Sequence, residues 1–193
     1  MNRAMNTGNL VSANEGLIFK DKGSEPRLIK QWYAVYTVVR HEKTIDSLLS
    51  GKNVETFLPL REVVSQWKDR KKRVQLPLFP GYIFVRLSTK GSPDILNVLN
   101  TKGVIRILSA NGSLQPVPDE EINSIKSLLE TKIEFDTYPH YVSGSNVVVI
   151  NGPLQGITGK IIERNRNNRL FISIDIIKSS VSVEIDPADV ELV

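Results

Sequence analysis

The pattern of apolar and polar positions changes period several times along this chain, and each change predicts an element. Residues 1–30 mix Asn, Gly, Ser and charges around short apolar pairs such as Leu17-Ile18, with no sustained period of 2 or 3.6, which predicts a disordered tail. "WYAVYTVV", Trp32 to Val39, is aromatic and β-branched and predicts a strand. In "RHEKTIDSLLSGK" the residues Ile45, Leu48, Leu49 and Lys52 fall at helical spacing, with Gly51 as the stop. "VETFLP", "REVVSQW", "RVQLPLF" and "YIFVRLS" predict strands, the middle two forming a hairpin whose tip is the basic turn between them. Ser92-Pro93-Asp94 opens a short helix through Asn100, with Ser92 as N-cap and Pro93 in the first helical position. "GVIRIL" is a further strand. "PVPDEEINSIKSLLETK" then places three acids at a helix N-terminus and Ile122, Ile125, Leu128 and Leu129 on one buried face.

The resulting order, β-α-β-(hairpin)-β-α-β-α, is an α+β fold with an antiparallel, ferredoxin-like sheet whose helices cover one face. Residues 134–143 fit no period and carry a Pro, so they predict a linker. Beyond it every strong signal is β: "NVVVI", "TGKIIE", "RLFISIDII", "VSVEI" and "DVELV", five short strands that imply a small barrel. The expected organisation is a tail over 1–30, an α+β domain over 31–133, the linker 134–143 and a β domain over 144–193.

Parity along two strands singles out a surface. Side chains alternate across a sheet, so Tyr82, Phe84 and Arg86 share one face while Ile83, Val85 and Leu87 share the other; Trp32, Ala34 and Tyr36 separate likewise from Tyr33, Val35 and Thr37. The aliphatic set belongs against the helices. If the two aromatic sets align, the opposite face carries an aromatic patch. Either another element covers it or it docks a protein, since each large aromatic can bury ~150–250 Å² of a standard interface.

Charge sharpens the picture locally. Residues 135–193 carry five Lys/Arg against seven Asp/Glu, whereas Lys68 to Arg73 alone nets +4 with Asp69 interposed. Nucleic-acid contact is therefore expected at the hairpin tip, as a salt-dependent and poorly selective auxiliary, and not over the whole surface. Taken alone, such a run at a hairpin tip is as well read as a solvated turn. Composition removes other classes. With 40% hydrophobic and 24% charged residues, no apolar run approaching the ~20 of a membrane helix, no signal-peptide pattern and no Cys, the expectation is a cytoplasmic protein without disulfides or membrane contact. The two histidines, His41 and His140, lie far from any paired carboxylate, and there is no metal-ligand spacing, phosphate-binding Gly loop or nucleophile elbow. Neither an enzyme nor a cofactor is expected, and nothing demands more than a monomer.

"WYAVYTVVRHEK", "FLPLREVV", "LPLFPGYIFVRL", "GVIRIL" and "PVPDEEI" resemble, in that order, the N-terminal (NGN) domain of NusG-family transcription elongation factors, and "VINGPLQGITGKI" resembles their C-terminal KOW motif. The resemblance spans about residues 31–193. It implies an NGN domain that binds the clamp helices of the largest subunit of RNA polymerase and makes the enzyme more processive. Carried over by position, Tyr36, Phe79, Pro80, Tyr82 and Phe84 would form the polymerase pocket, and Lys68, Arg70, Lys71, Lys72 and Arg73 would meet upstream or non-template DNA. In the KOW motif Gly152, Gly156 and Gly159 permit tight turns on an SH3-like barrel that exposes strand edges to a partner.

The chain departs from the general pattern at one tip. NusG proteins usually carry an aromatic-Gly-Arg tip there, which serves contacts with Rho or a small-subunit ribosomal protein, whereas this chain reads Ile176-Ile177-Lys178-Ser179-Ser180. Ile177 and Lys178 would take that partner-facing place. The departure resembles specialised paralogs of the RfaH, LoaP and UpxY type, which implies an operon-specific antiterminator. The alternatives are a general NusG factor coupling polymerase to Rho or the ribosome, and a KOW-type ribosome-associated RNA-binding protein; the slightly acidic last segment argues for a protein partner over RNA. Its β-branched density also predicts strands rather than a fold-switching, autoinhibitory helical form.

Overall fold

The computed structural model describes residues 29–67, 70–88, 93–131, 133–139, 144–164 and 167–193. Strand β1 (Gln31–Thr37) leads to α1 (Glu42–Ser50), β2 (Glu55–Phe57), the hairpin β3 (Leu60–Trp67) and β4 (Arg70–Pro77), β5 (Tyr82–Leu87) and α2 (Asp94–Leu99). Next come β6 (Val104–Ile107), the two-residue strands β7 (Ser109–Ala110), β8 (Ser113–Leu114) and β9 (Pro116–Val117), and α3 (Asp119–Glu130). The remainder is β10 (Asp136–Pro139), β11 (Ser145–Val149), β12 (Thr158–Arg164), β13 (Asn167–Ile174), β14 (Ser179–Glu184) and β15 (Val190–Leu192). This is the α+β fold expected, with an all-β C-terminal unit.

The N-terminal sheet has the order β2-β5-β1-β6, with β9 also on β1, and every pairing is antiparallel. β1 is central and buried on both faces, which is why its sequence runs apolar without alternation. Tyr33, Val35, Ile83, Val85 and Leu87 pack on Ile45 and Leu49 of α1 and Val98 of α2. Trp32, Ala34 and Phe84 pack on the opposite side with Ile122, Ile125 and Leu128 of α3. Helices therefore cover both faces, not one. The third helix is returned to the aromatic face because β9 ends beside Trp32, and α3 starts two residues on.

Other expectations need local correction. Gly51 does end α1 as its C-cap, but with a right-handed φ of −64°; the left-handed residue that turns the chain is Asn53, at φ 59°. Leu48 is exposed; Ile45 and Leu49 alone of that set are buried. α2 is described from Asp94 and ends at Leu99, while Ser92 lies outside the described residues. Within the expected linker, Asp136–Pro139 forms β10, paired with β14 from Asp136↔Ser182 to Pro139↔Ser179. Two side chains fix that short strand: the Asp136 carboxylate accepts from the Arg169 guanidinium at 2.7 Å, and the Tyr138 ring meets Phe171 edge-on at 5.5 Å.

The C-terminal sheet has the order β10-β14-β13-β12-β11-β15 and encloses Val147, Leu170, Ile172, Ile174, Val181 and Val183. Its β-branched runs are strands, as their composition favours. The same apolar cluster continues without a break into Trp32, Phe79, Phe84 and the buried face of α3. The barrel thus packs onto α3, and α3 packs onto the sheet.

Candidate docking face and its cover

The geometry of the "LFPGY" segment starts from Gly81. Its φ of +82° is the left-handed conformation that glycine adopts without strain, and it allows the turn from Phe79 to Tyr82, closed by the Tyr82 N–H on the Phe79 carbonyl at 3.1 Å. Both polar groups of Gly81 are held. Its N–H donates to Glu42 Oε1 at 2.7 Å, and its carbonyl accepts from Thr37 N–H at 2.8 Å. Glu42 is only 2% exposed, a buried carboxylate at the first turn of α1, where the helix N-terminus favours negative charge. Sequence reasoning missed it; its sole signal was an acid opening a predicted helix.

The turn sets the aromatics. In the β1–β5 register Trp32 lies opposite Arg86, Ala34 opposite Phe84 and Tyr36 opposite Tyr82, so the two aromatic sets do align on one face. Tyr36 and Tyr82 form a tilted pair at 5.3 Å, with the Arg106 guanidinium 5.9 Å from the Tyr36 ring. Both tyrosines are half-buried and Pro80 is exposed. Phe79 and Phe84 are not open: they are 3% and 0% exposed and meet edge-on at 6.3 Å, and Phe57 stacks on Phe84 at 6.1 Å. Trp32 is covered in turn by Lys126 of α3, whose ammonium sits 4.8 Å from its ring. Of the five candidate docking residues, then, three reach the rim and two belong to the core.

Across a cleft of about 330 Å³, this rim faces the barrel. Arg61, Pro77, Leu78, Phe79, Pro80 and Tyr82 line one wall, and Thr137, Tyr138, Ser179 and Ser180 line the other. Polar contacts also join α3 to the barrel. Thr158 N–H donates to Ser124 Oγ at 3.3 Å, and Asp175 N–H donates to Glu121 Oε2 at 3.2 Å. Ser124 and Glu121 are one turn apart on α3, so both project toward the barrel. Desolvation in this seam, with Asp175 and Glu120 nearby, pushes the Glu121 carboxyl up from 4.5 to about 7 against the opposing help of the Asp175 N–H.

The basic arm is a separate two-stranded sheet, paired from Leu60↔Pro77 to Trp67↔Arg70. Lys71, Lys72 and Arg73 are exposed; Arg70 opens β4, and Lys68 lies outside the described residues. Register splits the cations. Lys71 and Arg73 share the face of Gln66 and Val64, whereas Lys72 falls on the opposite face. Arg73 also pairs with Glu62 at 2.9 Å.

In the barrel, Gly152 and Gly156 have φ of +81° and +84° and serve turns. Gly159 does not make a turn. It sits in β12, where a Cβ would lie 2.5 Å from the Phe171 carbonyl oxygen, so its role is close backbone approach. Ile177 is buried in the barrel core, and Lys178 is an exposed left-handed residue at φ 52° closing the 3-10 turn Asp175–Ile177. His41 is exposed, and His140 lies outside the described residues. No group of His, Asp and Glu among the described residues could hold a metal ion, and no described helix is long and apolar enough to cross a membrane.

Comparison with known proteins places this architecture. The family model described as "Transcription termination factor nusG" matches residues 30–126. The transcription termination/antitermination protein NusG of Rickettsia felis is 26% identical over 174 residues, covering 84% of this chain and 90% of its own. The protein of the same name from Thermus thermophilus is 28% identical over 175 residues, covering 81% and 95%. A solved structure of the domain interaction in Thermotoga maritima NusG is 25% identical, with a TM-score of 0.47, and covers 85% of this chain and 97% of its own. The chain belongs to the NusG family of transcription termination and antitermination proteins.

Proposed function

We propose that this chain is a transcription elongation factor that docks on the clamp helices of RNA polymerase and suppresses pausing and termination as an operon-specific antiterminator. The observation that carries the proposal is the Tyr36–Tyr82 pair, presented at the rim of the aromatic face by a turn clamped on both sides. Partly exposed aromatics on a rigid turn suit a helical partner, because little side-chain entropy remains to be lost on contact. Pro80 extends the same rim. Phe79 and Phe84 support it from beneath as core residues.

The arm supplies the second contact. Eight-residue strands extend ~25 Å from the sheet, which carries Lys71, Lys72 and Arg73 away from the docking rim, with Lys68 and Arg70 in the same segment. DNA held by the polymerase is the fitting ligand: a few cations give a salt-dependent, unselective phosphate contact that needs another interaction to localise it. The KOW barrel, with Gly152, Gly156, Gly159, Ile177 and Lys178, is the proposed site for a further protein partner. Burial of Ile177 leaves Lys178 as the accessible member of its tip, which favours the specialised reading over a general Rho or ribosome coupler.

The test is binding of the full chain to core RNA polymerase, with Tyr36→Ala/Tyr82→Ala as the variant. Phe84→Ala is unsuitable, since it would open a core cavity. Loss of at least about tenfold in affinity in a folded double variant is the expected result. Unchanged affinity moves the dock elsewhere. A deletion strain whose transcript loss is genome-wide, not confined to long operons, overturns the operon-specific part.

A further inference from the structure

The seam between α3 and the barrel differs from the apolar contact around it, because it brings one acid from each unit to the same cavity. Glu121 projects from the first turn of α3 and accepts the N–H of Asp175, so the Asp175 side chain is carried on the very residue that Glu121 binds. The two acids also line one cavity of about 260 Å³, formed with Asn146, Thr158, Lys160 and Ser173 of the barrel. The opposing wall carries Lys160 and Asp175, Val193 also lines the cavity, and α3 adds Glu120 nearby. The neighbouring contact of Ser124 with Thr158 is neutral.

We propose that Glu121 and Asp175 form a pH-sensitive latch that sets how tightly the barrel closes over the aromatic face. A protonated Glu121 keeps a carboxyl oxygen for the Asp175 N–H and removes the like-charge repulsion; an ionised one keeps the hydrogen bond but is desolvated beside a second carboxylate. Once the barrel lifts, Glu121 returns to water at a helix N-terminus, where ionisation is favoured. Burial in the closed form holds its pKa at about 7, against 4.5 for the free group. The closed form thus binds the extra proton between those values. Closure is strongest below the lower value, weakens as pH rises between the two, and levels off above the higher. Because the carboxyl keeps partial contact with water, the expected weakening is roughly tenfold to a hundredfold between pH 5 and pH 8.

The consequence for docking rests on the proposed polymerase contact: a barrel released above neutral pH uncovers the rim, and one closed in acid withholds it. Closure itself is measured on the chain alone, so the two can fail separately. The chain has no native Cys, so Ser47→Cys and Glu191→Cys allow one dye on each unit for energy transfer. Transfer in the otherwise unchanged chain should fall from pH 5 to pH 8. Glu121→Gln should hold it high and flat across that range. Asp175→Asn, which keeps the backbone N–H, should move the midpoint toward lower pH without abolishing the transition. A flat profile in the unsubstituted chain, or an unaltered profile in both variants, overturns the latch.

Discussion

The two faces of the N-terminal sheet are both buried but are built differently. The Tyr33–Val35–Ile83–Val85–Leu87 face is completed by α1 and α2, from within residues 33–107, and its contacts are aliphatic apart from Tyr33. The Trp32–Ala34–Phe84 face is aromatic, and its cover is layered: α3 first, then a barrel whose apolar core runs on into α3, with polar contacts such as Thr158–Ser124 and Asp175–Glu121 added. A face closed by its own neighbours in sequence cannot exchange its cover. One closed by a separate unit can. The first is permanent core, and the second is where a docking function can live without unfolding the domain.

The largest effect that would break this contrast comes from the permanent face. Ile83 is wholly buried among α1 and α2 side chains, so Ile83→Ala should cost about 2–5 kcal/mol in the N-terminal unit. Denaturant unfolding followed by Trp32 and Trp67 fluorescence measures it, and both tryptophans belong to that unit. A cost below about 1 kcal/mol would mean that this face is no more fixed than the other.

Next in size is Gly159→Ala in the barrel. The added methyl would sit 2.5 Å from the Phe171 carbonyl and 3.0 Å from Leu170 Cδ1, and a carbonyl within a strand ladder cannot swing away. Overpacking of this kind typically costs about 1–3 kcal/mol. Amide exchange should speed up along β12 and β13 and stay unchanged in β1 and β5. Equal loosening in both units would show that their shared apolar cluster makes them open as one body, so that the barrel is no separable cover.

How much of this was legible beforehand follows the same division. The alternation of Tyr82, Ile83, Phe84, Val85 assigned both faces correctly, and the in-register match with Trp32, Ala34 and Tyr36 came from parity alone. Which face stays open was not legible, because covering it depends on where α3 returns, a long-range fact that local periodicity does not carry. β10 was missed for the same reason. Four residues ending in Pro look like a linker until Arg169 and Phe171, some thirty residues later, supply the partners for Asp136 and Tyr138. Glu121 reads as a helix-start acid and Glu42 has no assigned role; the N–H groups that hold them, of Asp175 and Gly81, are each distant in sequence.

The smallest effect on stability is expected on the arm, and it sharpens the contrast by separating fold from function. Arg73 and Glu62 pair at 2.9 Å, but their side chains are 78% and 51% exposed, so water and salt screen most of the attraction. Arg73→Ala should therefore change the unfolding free energy by less than about 0.5 kcal/mol. If the arm meets DNA in the elongation complex, the same change removes one phosphate neutralisation and should lower the dependence of log affinity on log salt by about one. Titration of a stalled elongation complex at several salt concentrations reads the slope. An unchanged slope with unchanged stability would make Arg73 a solvated residue on a solvated arm, and would leave polymerase contact to the tyrosine rim alone.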